Sequence, residues 1–84
     1  MKFKLDFLNG NRSDMTLIVE PWAEEFNIPS KARATILIEA VEFDRPEIQI
    51  KGEYVICYLW SGSVADVYVN GEHASPGLMR NPCP

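Results

Sequence analysis

Apolar and polar residues alternate one by one along most of this chain, and a period of two marks strands with one wet face. Phe3, Leu5 and Phe7 alternate with Lys2, Lys4 and Asp6, which predicts a first strand over about residues 2–8. The polar stretch Asn9-Gly10-Asn11-Arg12-Ser13-Asp14 carries an Asn-Gly turn signal. Residues 15–20 predict a second strand, with Leu17 and Val19 on one face and Ile18 on the other. Pro21 ends its pairing, because proline has no N–H to give to a ladder.

Residues 53–60, Glu-Tyr-Val-Ile-Cys-Tyr-Leu-Trp, are the most apolar run, too short for a typical helix and rich in ring and β-branched side chains. They predict a central strand covered on both faces, with Tyr54, Ile56, Tyr58 and Trp60 on one and Val55, Cys57 and Leu59 on the other. The cover for the first face is sought in residues 21–31. Pro21 suits the first position of a helical turn, and Trp22 and Phe26 fall on one side of it at i, i+4. A short helical turn near 22–26 is therefore expected to lay Trp22, Phe26 and Ile28 over the sheet.

Ile36, Ile38 and Ala40 share a face over residues 33–43, after which Val41 and Phe43 are apolar out of step by one. Such a slip is the mark of a bulge or sharp bend. Helix is the alternative for this stretch, and the β-branched pair Ile36 and Ile38 favours strand. Ile48 and Ile50 alternate with Glu47, Gln49 and Lys51, and Gly52, expected at positive φ, turns this short strand into the central one. After the turn Ser61-Gly62-Ser63, Ala65, Val67 and Val69 face inward from a last strand over 64–70. From Gly71 the pattern stops. Prolines at 76, 82 and 84 with no period predict a flexible tail over 72–84, behind one β domain over 1–71. The fold class expected is all-β, a small antiparallel six-stranded sandwich or partly open barrel.

With 84 residues and 46% hydrophobic content the chain suits one small globular unit. A net charge of −4, without a cluster of bases, argues against nucleic acid and against anionic membrane surfaces. No apolar run nears the roughly 20 residues of a membrane helix, and Asp6 interrupts the only N-terminal apolar stretch, so a cytoplasmic setting is expected. Two cysteines fit that compartment: Cys57 reads as a small buried hydrophobe, and a bridge to Cys83 would require export.

Chemistry is sparse. Glu24 and Glu25 beside Trp22 are the first candidates for paired carboxylates, although adjacent positions diverge and solvated acids are the plainer reading. His73, the single histidine, makes a loose His-Met-Cys set with Met79 and Cys83, one ligand short of a copper site. No cofactor or metal is expected. Cys57 lacks the exposure and adjacent base a nucleophile needs. Trp22, Phe26, Tyr54, Tyr58, Trp60 and Tyr68 form either a second core layer or a surface for a protein or sugar.

The segments Val19-Glu20-Pro21-Trp22-Ala23-Glu24-Glu25-Phe26 and Ile28-Pro29 resemble a stretch of small bacterial β proteins with a Glu-Pro-Trp-x-Glu-Glu segment and no assigned activity. The resemblance covers about ten residues and implies a bacterial origin, with no functional residue to carry over. The reading that emerges is a non-enzymatic binding or accessory module, meeting a protein partner through an acidic and aromatic surface at Trp22, Glu24 and Glu25. A small acidic immunity or antitoxin-like protein is one version. Alternatives are a β domain binding a small ligand or carbohydrate, and an enzyme using Glu24 or Glu25.

Overall fold

A computed structural model describes residues 1–74 and 77–82, and of residues 77 and 78 the backbone alone. Alternation becomes strands almost wherever it occurs: β1 (Lys2–Leu8), β2 (Met15–Glu20), β3 (Glu24–Ile28), β4 (Arg33–Glu39), β5 (Glu47–Lys51), β6 (Tyr54–Tyr58), β7 (Val64–Val69) and β8 (Glu72–His73), followed by the 3-10 helix Gly77–Arg80. The strands form two four-stranded sheets, in the orders β1-β4-β7-β8 and β3-β2-β6-β5. Their apolar faces meet in one core, where Leu17, Val19 and Ile28 of the second sheet join Ile36, Ile38 and Val67 of the first. All-β is therefore correct. The sheets do not close into a barrel, and among the described residues the strands number eight rather than six. Nor is the pairing wholly antiparallel, since β2 and β6 run parallel, Leu17 opposite Val55 and Val19 opposite Cys57.

The expected helical turn near 22–26 is a strand. Phe26 and Ile28 alternate into the core opposite Leu17 and Met15 of β2. One isolated helical turn fixes several dihedrals for a single hydrogen bond, whereas pairing with β2 supplies a ladder and buries both side chains. The two strands are joined through Pro21, Trp22 and Ala23, the last at a φ of 57°.

Residue 54 to residue 58 is indeed a central strand, but it is covered on one face only. Val55 and Cys57 are buried, while Tyr54 and Tyr58 lie on the outer surface and Ile56 is half-buried between them. With β3 drawn into the sheet, no segment among the described residues forms a third layer. The apolar slip after Ala40 is the end of β4, not a bulge. Ala40 still pairs with Met1 through two backbone bonds of 2.9 and 2.7 Å, and beyond it the chain bends away.

The hairpin at Gly52 forms as expected, with φ at 59° and Lys51 opposite Tyr54. Asn70-Gly71 makes a second one, both residues at positive φ, and adds β8 where a tail was expected. More of that segment packs. Met79 is fully buried in the core, Arg80 reaches Glu39 and Asp66 at 3.3 and 3.1 Å, and the Trp22 indole N–H donates to the Asn81 carbonyl at 3.2 Å. The described part of residues 72–84 thus caps one side of the sandwich; Ser75, Pro76, Cys83 and Pro84 lie outside the described residues.

Asn9 is a buried polar residue that the alternation could not announce. Its Nδ2 donates to the carbonyls of Ser13, Ile28 and Pro29 at 3.0, 3.0 and 3.2 Å, and its Oδ1 accepts from the Asn11 amide at 3.0 Å. It clips the loop after β1 to the loop after β3, satisfying backbone groups that burial would otherwise strand.

Three outcomes follow from these contacts. Met79→Ala should cost about 2–5 kcal/mol, and deleting residues 74–84 should lower the melting temperature by more than about 5 °C. An unchanged melting temperature would return the segment to a loose tail. Asn9→Asp, which replaces the amide donor by an oxygen facing three carbonyls, should destabilise by at least about 2 kcal/mol in denaturant melts. A neutral result would show that these bonds do not hold the loops.

Candidate functional site

The two sides of the sandwich are finished differently. Where β7 and β8 lie, the 3-10 helix and Met79 close it. Where the edge strands β1 and β5 lie, the sheets leave a cleft of about 260 Å³ lined by Leu5, Phe7, Met15, Ile48, Ile50 and Val55. Ile48 and Ile50 stand on the inner face, opposite Cys57 and Val55, yet are 49% and 74% exposed because β1 does not reach over them.

The β4–β5 connection crosses one end of this open side and brings aromatic rings together. Phe3, Phe43 and Trp60 meet edge to face, with centroid separations of 5.0, 6.0 and 6.1 Å, a favoured geometry for ring pairs. The Trp60 indole N–H donates to the Glu42 carbonyl at 3.1 Å, and buried Ser63 donates its hydroxyl to the Trp60 carbonyl at 2.5 Å. The loop is thereby held, but its apolar side chains are not covered: Val41 is 90% exposed and Phe43 59%. Val41, Phe43 and Trp60 line a recess of about 340 Å³ with Glu42 and Asp44 at its rim. Arg45 and Glu47 line a neighbouring depression that shares Asp44 and Trp60 with it, and Lys2 lines another beside Val41.

The residues singled out from the sequence lie elsewhere. Trp22 is half-buried and tied to Asn81. Glu24 and Glu25 occupy successive positions of edge strand β3, opposite Val19 and Ile18, so their side chains leave by opposite faces. The structure does not join them as a carboxylate pair. His73 Nε2 lies 3.1 Å from Asp66 Oδ1 in the network that includes Arg80, and its ring meets Tyr68 at 5.2 Å. Met79 is buried away from it and Cys83 lies outside the described residues. Among the described residues, no three His, Cys, Asp or Glu side chains are placed to hold a metal ion, and no helix is long and apolar enough to cross a membrane.

Val41 and Phe43 were visible as the two apolar residues out of step with Ile36 and Ile38. The slip was the available signal: a strand that has ended leaves its next apolar residues without a face to share. Phe3 gave none, because its alternation is that of any inward residue.

No protein-family model, curated protein or solved structure matches this chain.

Cys57 is inert by placement. Fully buried between Val19 and Ile48, it has its thiol pushed by burial from 9.0 up to about 11. An acid whose folded value is raised withdraws stability as pH climbs: the unfolded chain ionises first, so stability falls from pH 9 towards 11, by up to about 1.4 kcal/mol per unit. Cys57→Ala should flatten that part of the stability–pH curve relative to the parent. At neutral pH, alkylation of the peptide containing Cys57, followed by mass spectrometry, should proceed only on unfolding. Rapid alkylation of the folded chain would mean that the thiol is reachable.

Proposed function

We propose that this chain is a non-enzymatic binding module of the cytoplasm that meets a protein partner through the acidic and aromatic surface at Val41, Phe43 and Trp60. The exposure of Phe43 on a loop held by its neighbours carries the reading. A ring left in water on a fixed frame loses little freedom when a partner covers it, and such residues dominate binding energy. Glu42 and Asp44 beside it, on a chain of net charge −4, favour a basic segment with apolar side chains. This moves the acidic and aromatic surface expected at Trp22, Glu24 and Glu25 to the other side of the sandwich, where the rings are freer.

The recess beside Phe43 and Trp60, with carboxylates at its rim, favours a second reading: a small polar ligand such as a saccharide, stacked on a ring. Such a ligand would change Trp60 fluorescence on titration, with no protein partner required.

Affinity capture with parent and Phe43→Ser baits in parallel tests the proposal. A partner should bind the parent, weaken on the order of thirtyfold, about 2 kcal/mol, for Phe43→Ser, and associate more slowly with Glu42→Lys/Asp44→Lys at low salt, the difference shrinking as salt rises. A partner held equally by the Phe43→Ser bait, or lost only with Glu24→Lys/Glu25→Lys, would overturn the assignment of the surface.

A further inference from the structure

Strand β5, Glu47-Ile48-Gln49-Ile50-Lys51, reads as its own complement. Laid antiparallel on a second copy about Gln49, it sets Glu47 against Lys51, Ile48 against Ile50, and Gln49 against Gln49. Every residue of this strand is exposed, and among the described residues its outer edge has no neighbour in the sheet. The backbone phase agrees. The two-residue turn at Gly52 makes Lys51 and Tyr54 a hydrogen-bonded pair, so by alternation Glu47, Gln49 and Lys51 bond to β6. The amides and carbonyls of Ile48 and Ile50 therefore point outward, and the two-fold register sets these same residues against each other as the hydrogen-bonded pair.

The edge strand across the cleft repeats the arrangement. Laid antiparallel on itself about Leu5, β1 sets Lys4 against Asp6 on the outer face and Phe3 against Phe7 on the inner. Met1 and Ala40 exchange backbone bonds, so the odd residues of β1 bond to β4 and Lys4 and Asp6 present their backbone outward. Leu5 faces Ile48 and Ile50 across one cleft.

We infer that the occupant of this open side is a second copy of the chain, joined by two-fold antiparallel pairing of β5 with β5. Charge complementarity decides for a copy over a foreign strand: two Glu47–Lys51 pairs form at once, and two Ile48–Ile50 contacts remove from water the isoleucines that the monomer leaves wet. A two-fold contact uses each β5 edge once, so that this edge is no longer bare in the dimer; the β1 edge takes no part in it. Antiparallel pairing sends the two Phe43 loops to opposite ends of the joined sheet, so the dimer presents its proposed partner surface twice.

Sedimentation equilibrium of the full chain across a concentration series tests the pairing. The expected result is a monomer–dimer equilibrium. Lys51→Glu should weaken it about tenfold, by setting acid against acid at both ends. Glu47→Lys should weaken it similarly, and Glu47→Lys/Lys51→Glu together should restore the parent constant, since the exchanged charges complement each other again. Ile50→Pro, which removes an outward N–H and leaves the β6 ladder intact, should yield folded monomer by circular dichroism. A chain monomeric at every concentration, growth beyond the dimer, or a double charge exchange no tighter than the single variants would overturn the inference. Phe43→Ser should leave the dimer constant unchanged, so failure here and failure of the proposed partner surface are read separately.

Discussion

The contact between the inner faces of β2 and β4 is the one on which the rest of this chain depends. Leu17 and Val19 on one side and Ile36 and Ile38 on the other are almost wholly removed from water. Each such side chain contributes about 1.5–3 kcal/mol by burial, a large share for a domain of this length. Both strands lie inside their sheets, flanked on either hand, and every other strand extends the sheet that one of them begins. Asn9 then ties the loop ahead of β2 to the loop ahead of β4, joining the two sheets through polar bonds where the apolar contact ends.

So small a sandwich cannot finish both of its sides. The chain spends its C-terminal residues on one: Met79 enters between the sheets, Arg80 grips Asp66 and Glu39, and Asn81 receives the Trp22 indole. Among the described residues no such segment covers the β1 and β5 side, and the isoleucines of β5 are exposed. Exposed apolar residues scattered singly are ordinary, but Phe43, Ile48 and Ile50 follow one another along one open side, beside two bare strand edges. Function and association are both proposed there for the same reason: it is where the fold leaves free energy unspent.

Much of this was legible in the residues. The alternation of Phe3, Leu5 and Phe7, of Leu17 and Val19, and of Val67 with Ala65 predicted strands that formed within a residue or two of their expected ends. Gly52 marked its hairpin because a tight turn needs positive φ. The site was much less legible. Val41 and Phe43 marked a bulge or a sharp bend, of which the chain makes the bend, and Trp22 with Phe26 looked like a helical turn, because spacing at i, i+4 also fits residues on either side of a chain reversal. Asn9 looked like any residue of an Asn-Gly loop.

What the sequence determined by itself is local: where strands run, which of their faces is apolar, and where glycine permits a turn. Those properties depend on neighbours a few residues apart. Which apolar faces end up covered was decided by tertiary structure alone, because cover comes from partners tens of residues away. The parallel pairing of β2 with β6, the strand made of Glu24–Ile28 and the burial of Met79 each consumed a segment that could otherwise have shielded Tyr58 or Ile50. The open side is what remained once those long-range choices had been made.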